Sequence, residues 1–375
     1  MVRWVMGVAA MGCLVSCGPA DFLNFGPEKL QECNKDLLFQ LPGIEKMLGF
    51  DLLSVNCTST SPSTSTTLFY VADDNNNRIM VFDVTSITNG ENAVNVLGQS
   101  SFTTSTAAIT QSGLNLIIMR DTIALDSTNS RLFVSDYSNH RVMVFDVASI
   151  TNGENAVNVL GQSDFTTRTR GTTQSKLKNP TGLAYVSPNL YVSDNNNHRV
   201  MVFDVTSITD GENAVNVLGQ SDFTTATTGT TQSKLSGPSA IAYLSPNLYV
   251  ASDGNHRVMV FDVSSITDGE NAVNVLGQSD FTTGTNGTTQ SKLNTPEAVQ
   301  IIGSNLYVSD NNNNRIMIFD VSSITDGENA VNVLGQSSFT TSTSSLTQSG
   351  LNMPIVSNRI AERSLDFTLD GVALK

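Results

Sequence analysis

Short apolar runs separated by polar turn residues fill the chain from residue 68 to residue 354. In one stretch the runs cover residues 182–186, 190–193, 199–205 and 214–218. Proline, asparagine, aspartate and glycine occupy the breaks, and these residues favour turns or tolerate left-handed backbone. Short runs bounded in this way predict four β-strands, designated A to D in chain order.

The same pattern occurs five times along the chain. The segment Arg-Val/Ile-Met-Val/Ile-Phe-Asp-Val, which forms strand C, recurs after 63 residues and then three times after 58. Strand C is apolar at nearly every position and needs cover on both faces, which stacked blades provide. The sequence therefore predicts an all-β fold, a β-propeller of four-stranded antiparallel blades with five clear repeats and five or six blades.

Residues 190–204 read Leu-Tyr-Val-Ser-Asp-Asn-Asn-Asn-His-Arg-Val-Met-Val-Phe-Asp and resemble the NHL repeat, as do their counterparts in the other copies. The resemblance extends over residues 68–354 and implies a propeller, commonly of six blades. Residues 50–55 are a candidate for the first strand A, and residues 351–375 either begin a sixth blade or close the ring. The expected organisation is a signal peptide at 1–16, a linker at 17–49, the propeller at 50–354 and a ring-closing segment at 355–375.

The first residues have the order of a targeting signal. Arg3 precedes an apolar stretch at residues 4–15 that is too short to span a bilayer. Leu14-Val15-Ser16-Cys17 then resembles a bacterial lipobox, which implies cleavage before Cys17 and acylation of that residue. This favours an exported lipoprotein of the bacterial cell envelope, held at the outer membrane. An ordinary cleaved signal and a buried cytosolic strand are the alternatives.

Charge and cysteine content narrow the classes of partner. The chain has 34 acidic and 20 basic residues, a formal charge of −14 that repels phosphate backbones. Nucleic acid is therefore not an expected partner, and we expect a monomer that binds protein or polysaccharide.

Cys33 and Cys57 would remain after lipidation in an oxidising compartment, where they either form a disulfide or stay free.

An aspartate at the B–C turn and the arginine that opens strand C recur in every copy. Repetition in near-identical settings indicates a structural ion pair, and loss of one partner of a buried pair costs about 3–5 kcal/mol. The expected pairs are Asp73 with Arg78, Asp136 with Arg141, Asp194 with Arg199, Asp253 with Arg257, and Asp310 with Arg315.

Candidate chemistry is sparse elsewhere in the sequence. His140, His198 and His256 precede the arginine in three copies, and such equivalent settings suit turn residues better than a catalytic base or a metal ring. The turn at 310–314 lacks the glycine and glutamate of an EF-hand, which leaves weak calcium binding as an alternative. We expect no catalytic residue, no cofactor and no metal ligand.

Connections of an up-and-down blade alternate between its two faces, so the B–C turns and the D–A connections share one face, called here the loop face. D–A connections such as 221–238 are long, and loops of this length are functional or mobile. We expect ligands to meet the protein there. The phenylalanines in these loops are more typical of small-core anchors than of sugar-stacking platforms.

The sequence thus favours a lipid-anchored, non-catalytic binding or scaffold propeller. One alternative is a metal-dependent propeller enzyme of the lactonase or lyase type, which would need unlike polar side chains converging on the channel. The other is a purely structural envelope protein.

Overall fold

The computed structural model describes residues 67–116 and 123–356, and the backbone of 360–364. These residues belong to one compact unit, Thr66–Leu365. The predicted signal peptide, Cys17, Cys33, Cys57 and residues 50–55 lie outside the described residues, so their assignments stay predictions. No helix in the described ranges is long and apolar enough to cross a bilayer.

The described strands form five four-stranded antiparallel sheets, each of which is one blade, and this confirms the predicted propeller. Blade 1 contains β20 (Ile360–Ser364), β1 (Thr67–Asp73), β2 (Arg78–Asp83) and β3 (Asn95–Leu97). Blade 2 contains β4 (Ile123–Asp126), β5 (Arg131–Asp136), β6 (Arg141–Asp146) and β7 (Asn158–Leu160). Blade 3 contains β8 (Pro180–Val186), β9 (Asn189–Asp194), β10 (Arg199–Asp204) and β11 (Asn216–Leu218).

Blade 4 contains β12 (Pro238–Leu244), β13 (Asn247–Ser252), β14 (Arg257–Asp262) and β15 (Asn274–Leu276). Blade 5 contains β16 (Pro296–Ile302), β17 (Asn305–Asp310), β18 (Arg315–Asp320) and β19 (Asn332–Leu334). Strand D is shorter than the apolar run predicts. In blade 3 the N–H of Ala214 bonds to the carbonyl of Gln174, so the strand begins only at Asn216.

The B–C turn has the same form in every blade. In blade 3 it is a single 3-10 turn, Asn195–Asn197, that ends on His198 with φ at 55°. Asparagine and histidine are among the non-glycine residues that enter this left-handed region most readily, which explains why only they occupy the position. Register pairing then places Arg199 opposite Asp194.

The apolar core lies between neighbouring blades. In strand C of blade 3, Met201 and Phe203 pack into a cluster shared with blade 2. Val200 and Val202 point the other way, into a cluster shared with blade 4. Full burial of one such side chain contributes about 1.5–3 kcal/mol, so the continuous apolar run predicted for strand C is what joins the blades.

The innermost strand of blade 1 comes from the end of the chain. Strand β20 pairs antiparallel with β1, with Ala361 opposite Tyr70. The strand A position that the sequence offered to residues 50–55 is therefore filled by residues 360–364. One sheet thus contains both ends of the repeat array.

A second contact between blades is made by the C–D turn, which reaches back to strand D of the preceding blade. Asp268 Oδ1 accepts a hydrogen bond from the Val217 N–H at 3.0 Å, and the Gly269 N–H donates to the Val217 carbonyl at 2.9 Å. A Cβ on Gly269 would lie 2.8 Å from the Cα of Ser221, so the close approach requires glycine. We call this pair of bonds the latch.

Latches join blades 1 to 2, 2 to 3, 3 to 4 and 4 to 5. Their side-chain acceptors are Asn152, Asp210, Asp268 and Asp326. The equivalent turn of blade 1 contacts no preceding blade in the described part of the chain, since a Cβ on Gly90 would have no atom within 4 Å. At the other end Leu334 of β19 is 48% exposed, whereas its counterpart Leu276 is fully buried.

Candidate functional site

Buried arginines organise the loop face. In blade 3 Arg199 Nε donates to Asp194 Oδ2 at 2.8 Å, and both side chains are fully buried. Burial raises the pKa of the Asp194 carboxyl, against the opposing charge of Arg199. The same ion pair joins Asp73 to Arg78, Asp136 to Arg141, and Asp310 to Arg315.

The remaining guanidinium nitrogens bind loop carbonyls. Arg199 Nη1 donates to the Phe223 carbonyl at 2.5 Å, in the loop that leaves the blade. Nη2 donates to the carbonyls of Thr173 and Lys176 at 3.1 and 3.0 Å, in the loop that enters the blade. Arg199 therefore joins two D–A loops, as Arg141, Arg257 and Arg315 do in their blades, which is a positioning task.

Blade 4 departs from this pattern. Register pairing places Ser252 opposite Arg257, and Asp253 lies one residue later in the 3-10 turn, so the predicted partner is not in the predicted place. Within the described ranges Arg257 Nε has no hydrogen-bond partner, although the residue is fully buried. Burial lowers the pKa of Arg257 to about 10. Ser252 Oγ still accepts from the Ser236 N–H, the role of the aspartate in other blades.

The three histidines connect each B–C turn to the next inner strand. His198 Nδ1 accepts a hydrogen bond from the Gly237 N–H at 3.0 Å, and His140 and His256 do the same for Asn179 and Thr295. A neutral imidazole that accepts at Nδ1 carries its proton on Nε2. Burial lowers the pKa of all three histidines.

Asparagine performs the same task in the other two blades. Asn77 Oδ1 accepts from the Leu116 N–H, and Asn314 Oδ1 accepts from the Met353 N–H, both at 3.0 Å. The position therefore requires a residue that adopts left-handed backbone at the end of the turn and whose side chain accepts a hydrogen bond. Histidine and asparagine meet both requirements.

A glutamine fixes each long D–A loop, and it is buried in the first four blades. In blade 3 Gln220 Nε2 donates to the carbonyls of His198 and Thr227, both at 2.9 Å, which ties the B–C turn to the D–A loop. Asp222 caps the same loop by accepting from Thr224, whose hydroxyl lowers the pKa of Asp222 to about 2. The loops and turns thus share one face as predicted, and the loops are firmly held. Equivalent glutamine contacts are made by Gln99, Gln162, Gln278 and Gln336.

The loop phenylalanines lie against the inter-blade clusters rather than standing free. They are partly buried in four loops, at Phe165, Phe223, Phe281 and Phe339. Phe102 in the first loop is 37% exposed.

One region of the loop face differs from the rest. A cavity of about 300 Å³ lies between the D–A loop that enters blade 3 and the B–C turn of that blade. Its lining includes Arg170, Lys178, Asn196, Asn197 and His198. The repeated pattern does not reveal this cluster, because Arg170 and Lys178 occur at their positions in one copy alone.

Acidic and metal-binding groups do not form an equivalent cluster. Within residues 67–116 and 123–356, no group of three or more histidine, cysteine, aspartate or glutamate side chains is arranged to hold a metal ion.

Comparison with known proteins gives a local family match and distant structural likenesses. The NHL repeat family model matches residues 177–203, which form the start of blade 3. No curated protein matches the chain. The crystal structure of RRP9 WD40 repeats is 13% identical with a TM-score of 0.42, and the match covers 69% of this chain and 58% of that chain. Saccharomyces cerevisiae Sqt1 is 11% identical with a TM-score of 0.41, and the match covers 72% of this chain and 58% of that chain.

Proposed function

We propose that the protein is an exported, lipid-anchored and non-catalytic propeller that binds another protein or a polysaccharide through its loop face. The observation that carries the proposal is the network of arginine and glutamine side chains that holds repeated loops rigidly on one face. Ligands usually meet proteins at loops that a rigid scaffold positions, since little entropy is then lost on binding.

The exposed residues of these loops suit a polar partner. Thr228, Asn286 and Ser344 occupy equivalent positions in three successive loops, and all three are exposed. Hydroxyl and amide groups repeated around a ring can contact a repeated ligand several times. Several weak contacts to one ligand raise its overall affinity well above that of a single contact.

The loop face is tested by placing bulk and charge on it. Thr228→Glu with Asn286→Glu changes two exposed, equivalent positions of this face without adding a cation. The control, Thr206→Glu with Ser264→Glu, adds the same charge at exposed positions after strand C, on the opposite face. Co-sedimentation with peptidoglycan sacculi and with outer-membrane vesicles is the measurement.

We expect the loop-face variant to lose co-sedimentation and the control to keep it. Equal retention by both variants would contradict a loop-face function, and no co-sedimentation of the wild type with either material would favour a purely structural role.

The anchor rests on the resemblance of residues 14–17 to a lipobox and on nothing in the described residues. Its test is the intact mass of protein from bacterial membranes, beside a Cys17→Ala variant. Loss of residues 1–16 together with added acyl chains, both absent from the variant, is the expected result. An unacylated wild type would remove the anchor from the proposal.

A further inference from the structure

Three cations break the symmetry of the loop face. Arg168, Arg170 and Lys178 lie in the D–A loop between blades 2 and 3. The corresponding residues of the next loop are Ala226, Thr228 and Ser236, those of the loop after that are Gly284, Asn286 and Asn294, and those of the first and last loops are also uncharged. Near-identical copies thus differ in charge at these positions, and the cations occur in a chain whose formal charge is −14.

These cations have no structural task comparable to that of their neighbour Lys176. Lys176 Nζ donates to Gln162 Oε1 at 3.3 Å, and the equivalent lysines of the next two loops do the same. Among the described residues, the side chains of Arg168, Arg170 and Lys178 make no hydrogen bond and no ion pair.

The backbone holds Lys178 in place at the cavity. Its N–H donates to Asp194 Oδ1 at 2.6 Å, and its carbonyl accepts from the Asn196 N–H at 3.2 Å. Arg170 and His198 line the same cavity. Because His198 Nδ1 accepts from backbone, Nε2 carries the proton in the neutral ring and is available as a donor.

Cations outnumber acidic groups among the charges that act on the histidines beside the cavity. The charges of Arg170, Arg168 and Lys178 all help to hold the pKa of His140 below its usual value, after the larger effect of burial. The acidic group that faces His198 from blade 4 is Asp253, which acts on the pKa of His198 in the opposite sense. Asp194 is buried against Arg199 and directs no free charge at the cavity.

Asn197 also lines the cavity. Its Oδ1 is buried and has no hydrogen-bond partner within the described part of the chain, and the same is true of Asn139 Oδ1 at the equivalent position of blade 2. This atom therefore belongs to the repeat and does not specify a ligand, whereas the cations set this cavity apart and favour an anionic oxygen group.

We propose that this cavity binds an oxyanion, the carboxylate or phosphate of a small polar ligand such as an acidic sugar. Arg170 and Lys178 supply the opposite charge, and Arg168 strengthens the field. The inference rests on the loop face being the binding face and assigns the chemistry of one site on it.

The test compares two variants of the full chain that change the net charge equally. Arg170→Thr with Lys178→Asn introduces residues that other copies carry at these positions, Thr228 and Asn294. The matched control, Asn89→Asp with Asn152→Asp, lowers the net charge by the same amount. It introduces the residue of the later copies and lies in the C–D turns of the opposite face. Calorimetric titrations use inorganic phosphate, glucuronate and neutral glucose.

We expect the wild type to bind phosphate or glucuronate at one site and to ignore glucose, and the cavity variant to weaken that binding about tenfold or more, the effect of losing one or two charge-assisted hydrogen bonds. The control should bind within about twofold of the wild type, because screening reduces a distant charge. Preference for phosphate or for glucuronate distinguishes the two sources of the anion.

Three results would overturn the proposal: no binding of either anion by the wild type, equal binding by the cavity variant, or equal weakening by the control. The titration uses no envelope material, so its failure is separate from a failure of the co-sedimentation experiment.

Discussion

Asn152 Oδ1 accepts a hydrogen bond from the Val96 N–H at 3.0 Å, and this bond connects two blades whose strands form separate β-sheets. The side chain of Asn95 reaches the same turn, donating to the Ile150 carbonyl at 3.1 Å. The junction between blades 1 and 2 therefore contains directed polar contacts beside its apolar core.

Removal of this contact is expected to weaken the propeller. Asn152→Ala should lower the free energy of unfolding by about 1 kcal/mol, the usual contribution of one such hydrogen bond. Urea denaturation provides the measurement. Asn89→Ala is the matched control, because the turn of Asn89 meets no preceding blade among the described residues, and it should leave stability unchanged. Equal losses in both variants would contradict the latch.

Restoring the missing carboxylate in blade 4 is expected to stabilise the protein. Ser252→Asp places a carboxylate opposite the buried guanidinium of Arg257, as in the other blades, and should stabilise the protein by about 1.5–3 kcal/mol, the range for a hydrogen bond to a charged group. The reverse change in blade 3, Asp194→Ser, should cost about 3–5 kcal/mol because it leaves Arg199 buried without its partner. Thermal unfolding of both variants tests the pair, and a lower melting temperature for Ser252→Asp would count against it.

The three histidines are expected to make the free energy of unfolding depend on pH. Burial lowers the pKa of His140, His198 and His256 from the ordinary 6.5, so the unfolded chain takes up their protons first as pH falls. Their contribution to stability is therefore complete above pH 6.5 and declines as pH falls towards their folded pKa values. Replacement of all three by asparagine, which the chain itself uses at Asn77 and Asn314, should flatten the stability curve between about pH 7.5 and pH 5.5. An unchanged slope would show that the histidines do not control it.

Gln220 should control the order of its loop. Gln220→Ala leaves the carbonyls of His198 and Thr227 without their donor, at a cost of about 1–3 kcal/mol if they stay buried. We expect faster amide hydrogen exchange in residues 221–237. The loop held by Gln278 serves as an internal reference in the same sample. Uniform acceleration in both loops would indicate global destabilisation instead.

The fold followed from the sequence because each strand is a short local pattern that recurs. The continuous apolar run of strand C predicted burial on both faces, and Met201 and Val202 do pack towards opposite neighbours. The latch could not be foreseen in this way. Asp268 meets Val217, a residue 51 positions earlier in the chain, and local pattern carries no information about that distance.

The sequence predicted the face on which the candidate site lies, but not the residues that form it. The loop face was expected from strand alternation, whereas Lys178 and Arg170 stand out only when copies are compared position by position for differences. Residues 50–55 were a candidate for the inner strand of blade 1, and residues 355–375 were expected to close the ring. Strand β20 lies in the second segment, but it reads Ile-Ala-Glu-Arg-Ser and lacks the apolar character of its counterparts, so the pattern alone did not place it beside β1.

Every latch runs in the same direction, from the C–D turn of one blade to strand D of the blade before it. The two surfaces involved differ, so a duplicated stretch of 58 residues would bring both halves of the junction with it. Such an array can gain a blade by tandem duplication, because the new blade already carries the residues that contact its neighbours. The number of blades would then be limited by the requirement that residues 360–364 pair with β1, while individual loops, such as that of Arg170, remain free to diverge.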